Sequence, residues 1–164
     1  VTGIQITGIE KDDKEQLISE LPEGVTTVIH RGVNSLIACV GKGKCKNGQM
    51  ETQDLADYIE RKHYGRKTSH KCKIGISGCG RNCPDAMVKD IAFIGTSQGF
   101  MLAVGGNTGM RPEAGQILLR KLTIEQAKKA ADILIDWYAE HGEPKERMGK
   151  LLERLGNPLE KINL

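Results

Sequence analysis

Aromatic residues are scarce: one Trp, three Tyr and two Phe make up 4% of the 164 residues. Any core must therefore be aliphatic, built from Ile, Leu, Val and Ala. Long apolar runs are missing, and no stretch approaches the ~20 apolar residues of a membrane span. Residues 1–20 carry five acidic residues and no apolar h-region, so no secretory leader is expected. The chain lacks an initiator methionine, and the expectation is a processed, truncated or partial product. A strong charge of one sign is also absent. The net charge is +3 and the pI near 8.6, without the one-sided basic face or module that nucleic-acid binding requires. No dinucleotide fingerprint occurs.

What is abundant is glycine, with 20 residues gathered near the cysteines and around positions 95–115. Five cysteines are present. In a cytoplasmic protein, paired cysteine motifs read as metal ligands rather than disulfides, and an odd count fits four ligands plus one spare. Cys39 and Cys45 form a C-x5-C pair, and Cys79 and Cys83 a C-x3-C pair, with 33 residues between them. Four thiolates are the ligand set of a [4Fe–4S] cluster or of structural zinc. Zinc favours tight knuckles, whereas a cubane accepts wider spacing. Proline directly after the last cysteine, here Pro84, also recurs at iron–sulfur sites. Both readings stay open on spacing alone. The spare thiol, Cys72, reads as core packing.

Richness in Val and Thr predicts a strand over 25–29, and period-two alternation predicts strands over 3–9 and 71–77. In the last, Lys71, Lys73 and Gly75 face one way, and Cys72, Ile74 and Ile76 the other. Helices are predicted over 12–21, over 52–63 with Thr52 as cap, from Thr123 to Gly142, and over 145–155. Thr123 and Gln126 form a capping-box pattern. Residues 31–50 read as the first cysteine loop, and Pro84 opens a short helical turn. Two strands at 90–95 and 100–104 are joined by Thr-Ser-Gln-Gly. Residues 105–112 read as a loop whose N–H groups and Arg111 can face a ligand.

The two spacings taken together resemble the cluster-binding pattern of the sirohaem-containing nitrite and sulfite reductases. So do Ala38-Cys39-Val40-Gly41 with Asn47-Gly48 and Thr52-Gln53-Asp54, His70 to Cys83, Val88-Lys89-Asp90 and Val104-Gly105-Gly106-Asn107. The likeness covers roughly residues 36–156 and is closest to the large subunit of NADH-dependent nitrite reductases and to small assimilatory-type sulfite reductases. It implies that Cys39, Cys45, Cys79 and Cys83 hold a [4Fe–4S] cluster, with Cys83 bridging to sirohaem iron. It implies that Lys71 and Lys73 bind the anionic substrate and help deliver protons. Sirohaem carries eight carboxylates. Arg81, Asn82, Asn107, Arg111 and the N–H groups of Gly105 and Gly106 are candidates to meet them, with Arg31 as a further anion ligand. One departure stands out, since the arginine expected shortly before the first cysteine is replaced by Asn34.

The expected fold is α+β: a mixed or antiparallel sheet flanked by helices, with a partial ferredoxin-like β-α-β over 1–33 and a cluster/sirohaem domain over 34–164. The expected function is six-electron reduction of nitrite or sulfite. Electrons would come from a ferredoxin, a flavoprotein or an NADH-oxidising subunit, within a homodimer or larger complex. The alternatives are an electron-transfer subunit that keeps the cluster without sirohaem, and a zinc or cluster protein acting as an interaction module.

Overall fold

The computed structural model describes residues 10, 12–22 and 32–160. Strand expectations at 3–9 and 25–29, and most of the expected ferredoxin-like module, lie outside the described residues. Elements run α1 (Asp13–Ser19), β1 (Gly32–Ala38), α2 (Gln53–His63), β2 (Lys71–Ser77), a single 3-10 turn (Ala86–Val88), β3 (Ile91–Thr96), β4 (Gly99–Val104), β5 (Gln116–Leu122), α3 (Ile124–His141) and α4 (Met148–Leu155).

The five strands form one mixed sheet in sequence order. β1, β2 and β3 run parallel, while β4 and β5 are antiparallel to their neighbours. The fold is therefore α+β with a mixed sheet. Parallel neighbours need a crossover, and α2 supplies the one between β1 and β2.

Two strands correct the sequence reading. β1 occupies 32–38, inside the stretch expected to be cysteine loop, and pairs with β2 despite a register shift between Val33 and Ser35. β5 has no counterpart in the sequence reading. Its Leu-Leu-Arg-Lys run shows no clean alternation, and its ladder with β4 is irregular at two places. α4 starts at Met148 rather than near 145, because Lys145 has φ +70 and Arg147 is extended.

The main core lies on one sheet face. Cys72, Ile74 and Ile76 of β2 meet Ile91 and Phe93 of β3, Phe100 and Leu102 of β4, and the inner faces of α2, α3 and α4. Phe93 and Phe100 meet edge to face at 6.3 Å. The thiol of Cys72 is fully buried, and burial pushes its pKa well above the usual cysteine value. On the other face, Ala92, Ile94 and Ala103 form a smaller cluster covered by Ala86 and Met87 of the 3-10 turn. That second face carries Lys71 and Lys73.

α3 begins with the full capping box. Gln126 N–H donates to Thr123 Oγ1, and Thr123 N–H donates to the Gln126 side chain at 2.9 Å. α2 begins differently. Thr52 stands at the cap position, but its hydroxyl donates to Cys39 O at 2.5 Å. The Glu51 carboxylate accepts from the first N–H groups of the helix instead, from Gln53 at 2.6 Å and Asp54 at 3.0 Å. The fully buried Thr52 therefore ties the helix start to the first cysteine.

Candidate metal centre and anion face

Cys39 and Cys79 follow the C-terminal ends of neighbouring parallel strands. Cys39 N–H donates to Ile76 O at 3.0 Å, so the first loop leaves the sheet still paired with β2. The two cysteine loops are then stitched to each other. Gln49 N–H and Met50 N–H both donate to Gly78 O, at 2.8 and 3.0 Å, and Lys42 N–H donates to Met50 O at 2.9 Å. Glycines permit this closeness. A Cβ on Gly78 would lie 2.8 Å from Gly41 Cα, and one on Gly48 would lie 2.5 Å from the Gly41 carbonyl carbon. Neither place admits any larger residue without parting the loops.

Gly78 N–H donates to Cys39 Sγ at 3.0 Å. Ser77 Oγ donates to Cys79 O at 2.8 Å, fixing the turn into the second loop. Cys79 is buried, Cys39 and Cys45 are half-buried and Cys83 is exposed; none is in a disulfide. A cavity of about 470 Å³ opens beside Cys79 and Gly80, lined also by Lys46, Asn47, Gly48, Gln49 and Arg81. Among the described residues, no three His, Cys, Asp or Glu side chains are grouped to hold a metal ion.

The other candidates fall into two groups. Arg81 lines the cavity, whereas Asn82 serves its own turn: it has φ 54, and its Oδ1 accepts from Met87 N–H at 3.2 Å. Gly105 N–H donates to Asp90 O at 2.8 Å, so it does not face a ligand as the sequence reading expected. Gly105 (φ +90) packs on Gly149 of α4, where a Cβ would come within 2.8 Å of Gly149 Cα. Gly106 lies against the backbone of residues 87–89, 2.6 Å separating its would-be Cβ from Lys89 O. Asn107 pairs with Glu113 across the loop and accepts from Gly109 N–H at 3.1 Å. Arg111 is exposed. Arg31 lies outside the described residues.

Lys71 and Lys73 are half-buried on the open sheet face, at the start of β2 rather than at its cysteine end. Four residue steps along the strand, about 13 Å, take the chain from Lys73 to Ser77. Burial lowers the pKa of the Lys73 ammonium, and the nearby charges of Lys71 and Lys89 lower it further. Its backbone N–H donates to Asp90 Oδ2 at 2.8 Å, while Arg147 takes Asp90 Oδ1 at 2.7 and 3.1 Å. Lys46, Lys89 and the Asp90–Arg147 pair are not among the residues singled out from the sequence. The alternating lysines of Gly-Lys-Gly-Lys-Cys-Lys and the lysine of Val88-Lys89-Asp90 were the available signals.

Two interlocked cysteine loops at the ends of adjacent strands, with Lys46 and Arg81 lining the cavity beside Cys79, are what the structure places at this end of the sheet. Comparison with known proteins names the family. The chain belongs to the nitrite and sulphite reductase 4Fe-4S domain family, which it matches over residues 30–160. It is 31% identical over 153 residues to a nitrite reductase [NAD(P)H] of Bacillus subtilis, a match covering 93% of this chain and 19% of that protein. It is 29% identical over 153 residues to an assimilatory-type sulfite reductase of Nitratidesulfovibrio vulgaris, a match covering 93% of this chain and 70% of that protein. The chain therefore spans about a fifth of the former's length. The fold resembles the crystal structure of dissimilatory sulfite reductase I, with a TM-score of 0.74 and 13% identity over 90% of this chain and 56% of that one. It also resembles the Mycobacterium tuberculosis NirA protein, with a TM-score of 0.69 and 19% identity over 80% of this chain and 26% of that one.

Proposed function

We propose that the chain is a reductase module for nitrite or sulfite, in which Cys39, Cys45, Cys79 and Cys83 hold a [4Fe–4S] cluster and Cys83 is shared with sirohaem iron. The observation that carries the reading is the interlocking of the two cysteine loops, with Gly78 N–H on Cys39 Sγ, in a chain of this family. The donor chemistry fits, with four free cysteines on two glycine-locked loops. Cys83 is the exposed one of the four, which suits a thiolate facing a second group. When bound, the cluster and sirohaem supply and store the electrons of a six-electron reduction.

The protein's own part is to bind the anion and handle protons. Lys71 and Lys73 present two ammonium groups to an oxyanion, and their partial burial makes that attraction stronger than it would be in water. The lowered pKa of Lys73 makes its Nζ a readier proton donor than an ordinary lysine. The buried Asp90 accepts from the Lys73 backbone and holds the strand in place. Arg81 and Lys46 offer cations beside Cys79 for carboxylates of a prosthetic group. A ferredoxin, flavoprotein or NADH-oxidising subunit would supply electrons in the cytoplasm, with a second copy or a larger complex completing the assembly.

The test is spectroscopic. Anaerobically purified protein is expected to show sirohaem Soret and longer-wavelength bands, and on reduction a [4Fe–4S] electron paramagnetic resonance signal. A Lys71→Ala/Lys73→Ala variant should keep both signatures and lose at least ~100-fold in nitrite or sulfite turnover, as expected when two charge-assisted contacts are removed. Full turnover in that variant would remove the substrate assignment. A colourless, zinc-containing protein would overturn the whole reading.

A further inference from the structure

Among the described residues, five Lys and Arg side chains are half-buried: Lys71, Lys73, Lys89, Lys128 and Arg147. Two of them meet carboxylates. Lys128 sits between Asp54 and Glu125, and Arg147 binds Asp90. The other three have no ion pair among the described residues, and they are neighbours, because both Lys71 and Lys89 act on the charge of Lys73.

Lys89 arrives from a different element. It follows the 3-10 turn, and its stem lies over β2 at Gly75. A Cβ on Gly75 would be 2.6 Å from Ala86 Cα and 3.0 Å from Lys89 Cγ. Gly75 shares a strand face with Lys71 and Lys73, so the missing side chain at the third place of that row is replaced by Lys89. The carboxylate that acts on Lys73, that of Asp90, is engaged by Arg147 through one oxygen and by the Lys73 N–H through the other. Three partly desolvated like charges with no counter-ion repel one another. Such an arrangement is favourable when a ligand brings the negative charge.

We propose that Lys89 is a third anion-binding lysine, completing with Lys71 and Lys73 a row that receives an oxyanionic group, and that it is the member standing nearest the cysteine end of β2. This rests on the reading of Lys71 and Lys73 as oxyanion ligands. The shared chemistry is an oxygen anion on an ammonium, which a small inorganic oxyanion or a carboxylate of the prosthetic group can supply.

The experiment uses Lys89→Met, which keeps an apolar stem over Gly75 and removes the charge, with Lys89→Arg as the charge-retaining control. Sulfite and phosphate affinities are measured by calorimetry on the purified protein, and sirohaem content per chain is measured by absorbance. If Lys89 meets the small anion, Lys89→Met weakens sulfite and phosphate binding roughly tenfold, the worth of one charge-assisted hydrogen bond. Sirohaem content and melting temperature then stay unchanged, and Lys89→Arg restores affinity. If it meets a prosthetic-group carboxylate, sirohaem content falls while the cluster signal stays. Unchanged anion affinity together with unchanged sirohaem content in Lys89→Met would overturn the proposal. Failure of the underlying reading looks different, since the Lys71→Ala/Lys73→Ala variant would then keep full sulfite and phosphate affinity.

Discussion

Asp90 is fully buried and carries its charge between Arg147 and a backbone N–H. Burial raises its pKa above the usual carboxylate value, with Arg147 acting against the rise. An Arg147→Met variant leaves that carboxylate without its counter-charge, and ~3 kcal/mol of stability should be lost near pH 7 by urea denaturation. The sign with pH follows. A carboxyl with a raised folded pKa holds its proton more tightly folded than unfolded, so its contribution to stability improves as pH falls through that pKa. Loss of Arg147 raises the pKa further. The deficit should therefore shrink when the same measurement is made near pH 5, and a deficit constant with pH would mean that Arg147 acts through packing alone. Cys72 gives the contrasting case of a residue whose role is legible from strand alternation, because a position opposite two lysines on a half-buried strand must face the core. Lys89 was not legible in that way. Its place opposite Gly75 depends on a turn brought back over the strand, and no periodicity records it.

Between elements, α2 and α3 are clasped by one carboxylate. Asp132 of α3 accepts from Tyr58 at 2.7 Å and Lys62 at 2.7 Å, and meets His63 Nε2 at 2.6 Å, all three on α2. Burial alone would raise its pKa, but the hydrogen bonds from Lys62, His63 and Tyr58 outweigh that and hold it below the ordinary value. The stability it confers is present at neutral pH and is lost only as pH falls below the usual carboxylate range. Asp132→Asn should lower unfolding free energy by ~2 kcal/mol at neutral pH, and by less in acid, as followed by thermal melts across pH. Element legibility divides along the same physical lines. β2 and α3 were readable because each carries its own period and, for α3, its own cap. β1 and β5 lie at the sheet edges, have irregular ladders and take their strand character from pairing with neighbours. Thr52 marks the helix start correctly, while its hydroxyl serves Cys39, a contact thirteen residues distant that local capping rules do not see.

At the scale of the molecule, the main core and the cysteine loops are separable. The helices and the inner sheet face close on each other without the thiols of residues 39, 45, 79 and 83. A Cys45→Ser/Cys83→Ser variant should therefore lose the visible absorbance of a bound cluster while its far-UV circular dichroism stays close to that of the wild type. Collapse of the helical signal would show that a metal centre is needed for the fold itself. The family was legible in the sequence because both cysteine spacings, the lysine strand and the Gly-Gly-Asn loop occur in one order. The way the loops lock together was not, since the contact of Gly41 with Gly48 and Gly78 is a matter of missing atoms.

That lock bears on how charge moves. Cys39 stays paired with β2, and the loop bearing Cys45 is pinned through Gly78, so the thiol-bearing backbone is an extension of the sheet rather than a free strap. Backbone held by hydrogen bonds to a sheet opens less readily than a free loop. A redox group seated there would gain and lose electrons with small displacement of its surroundings. Its reorganisation energy would be low, and successive electron arrivals would each meet nearly the same geometry.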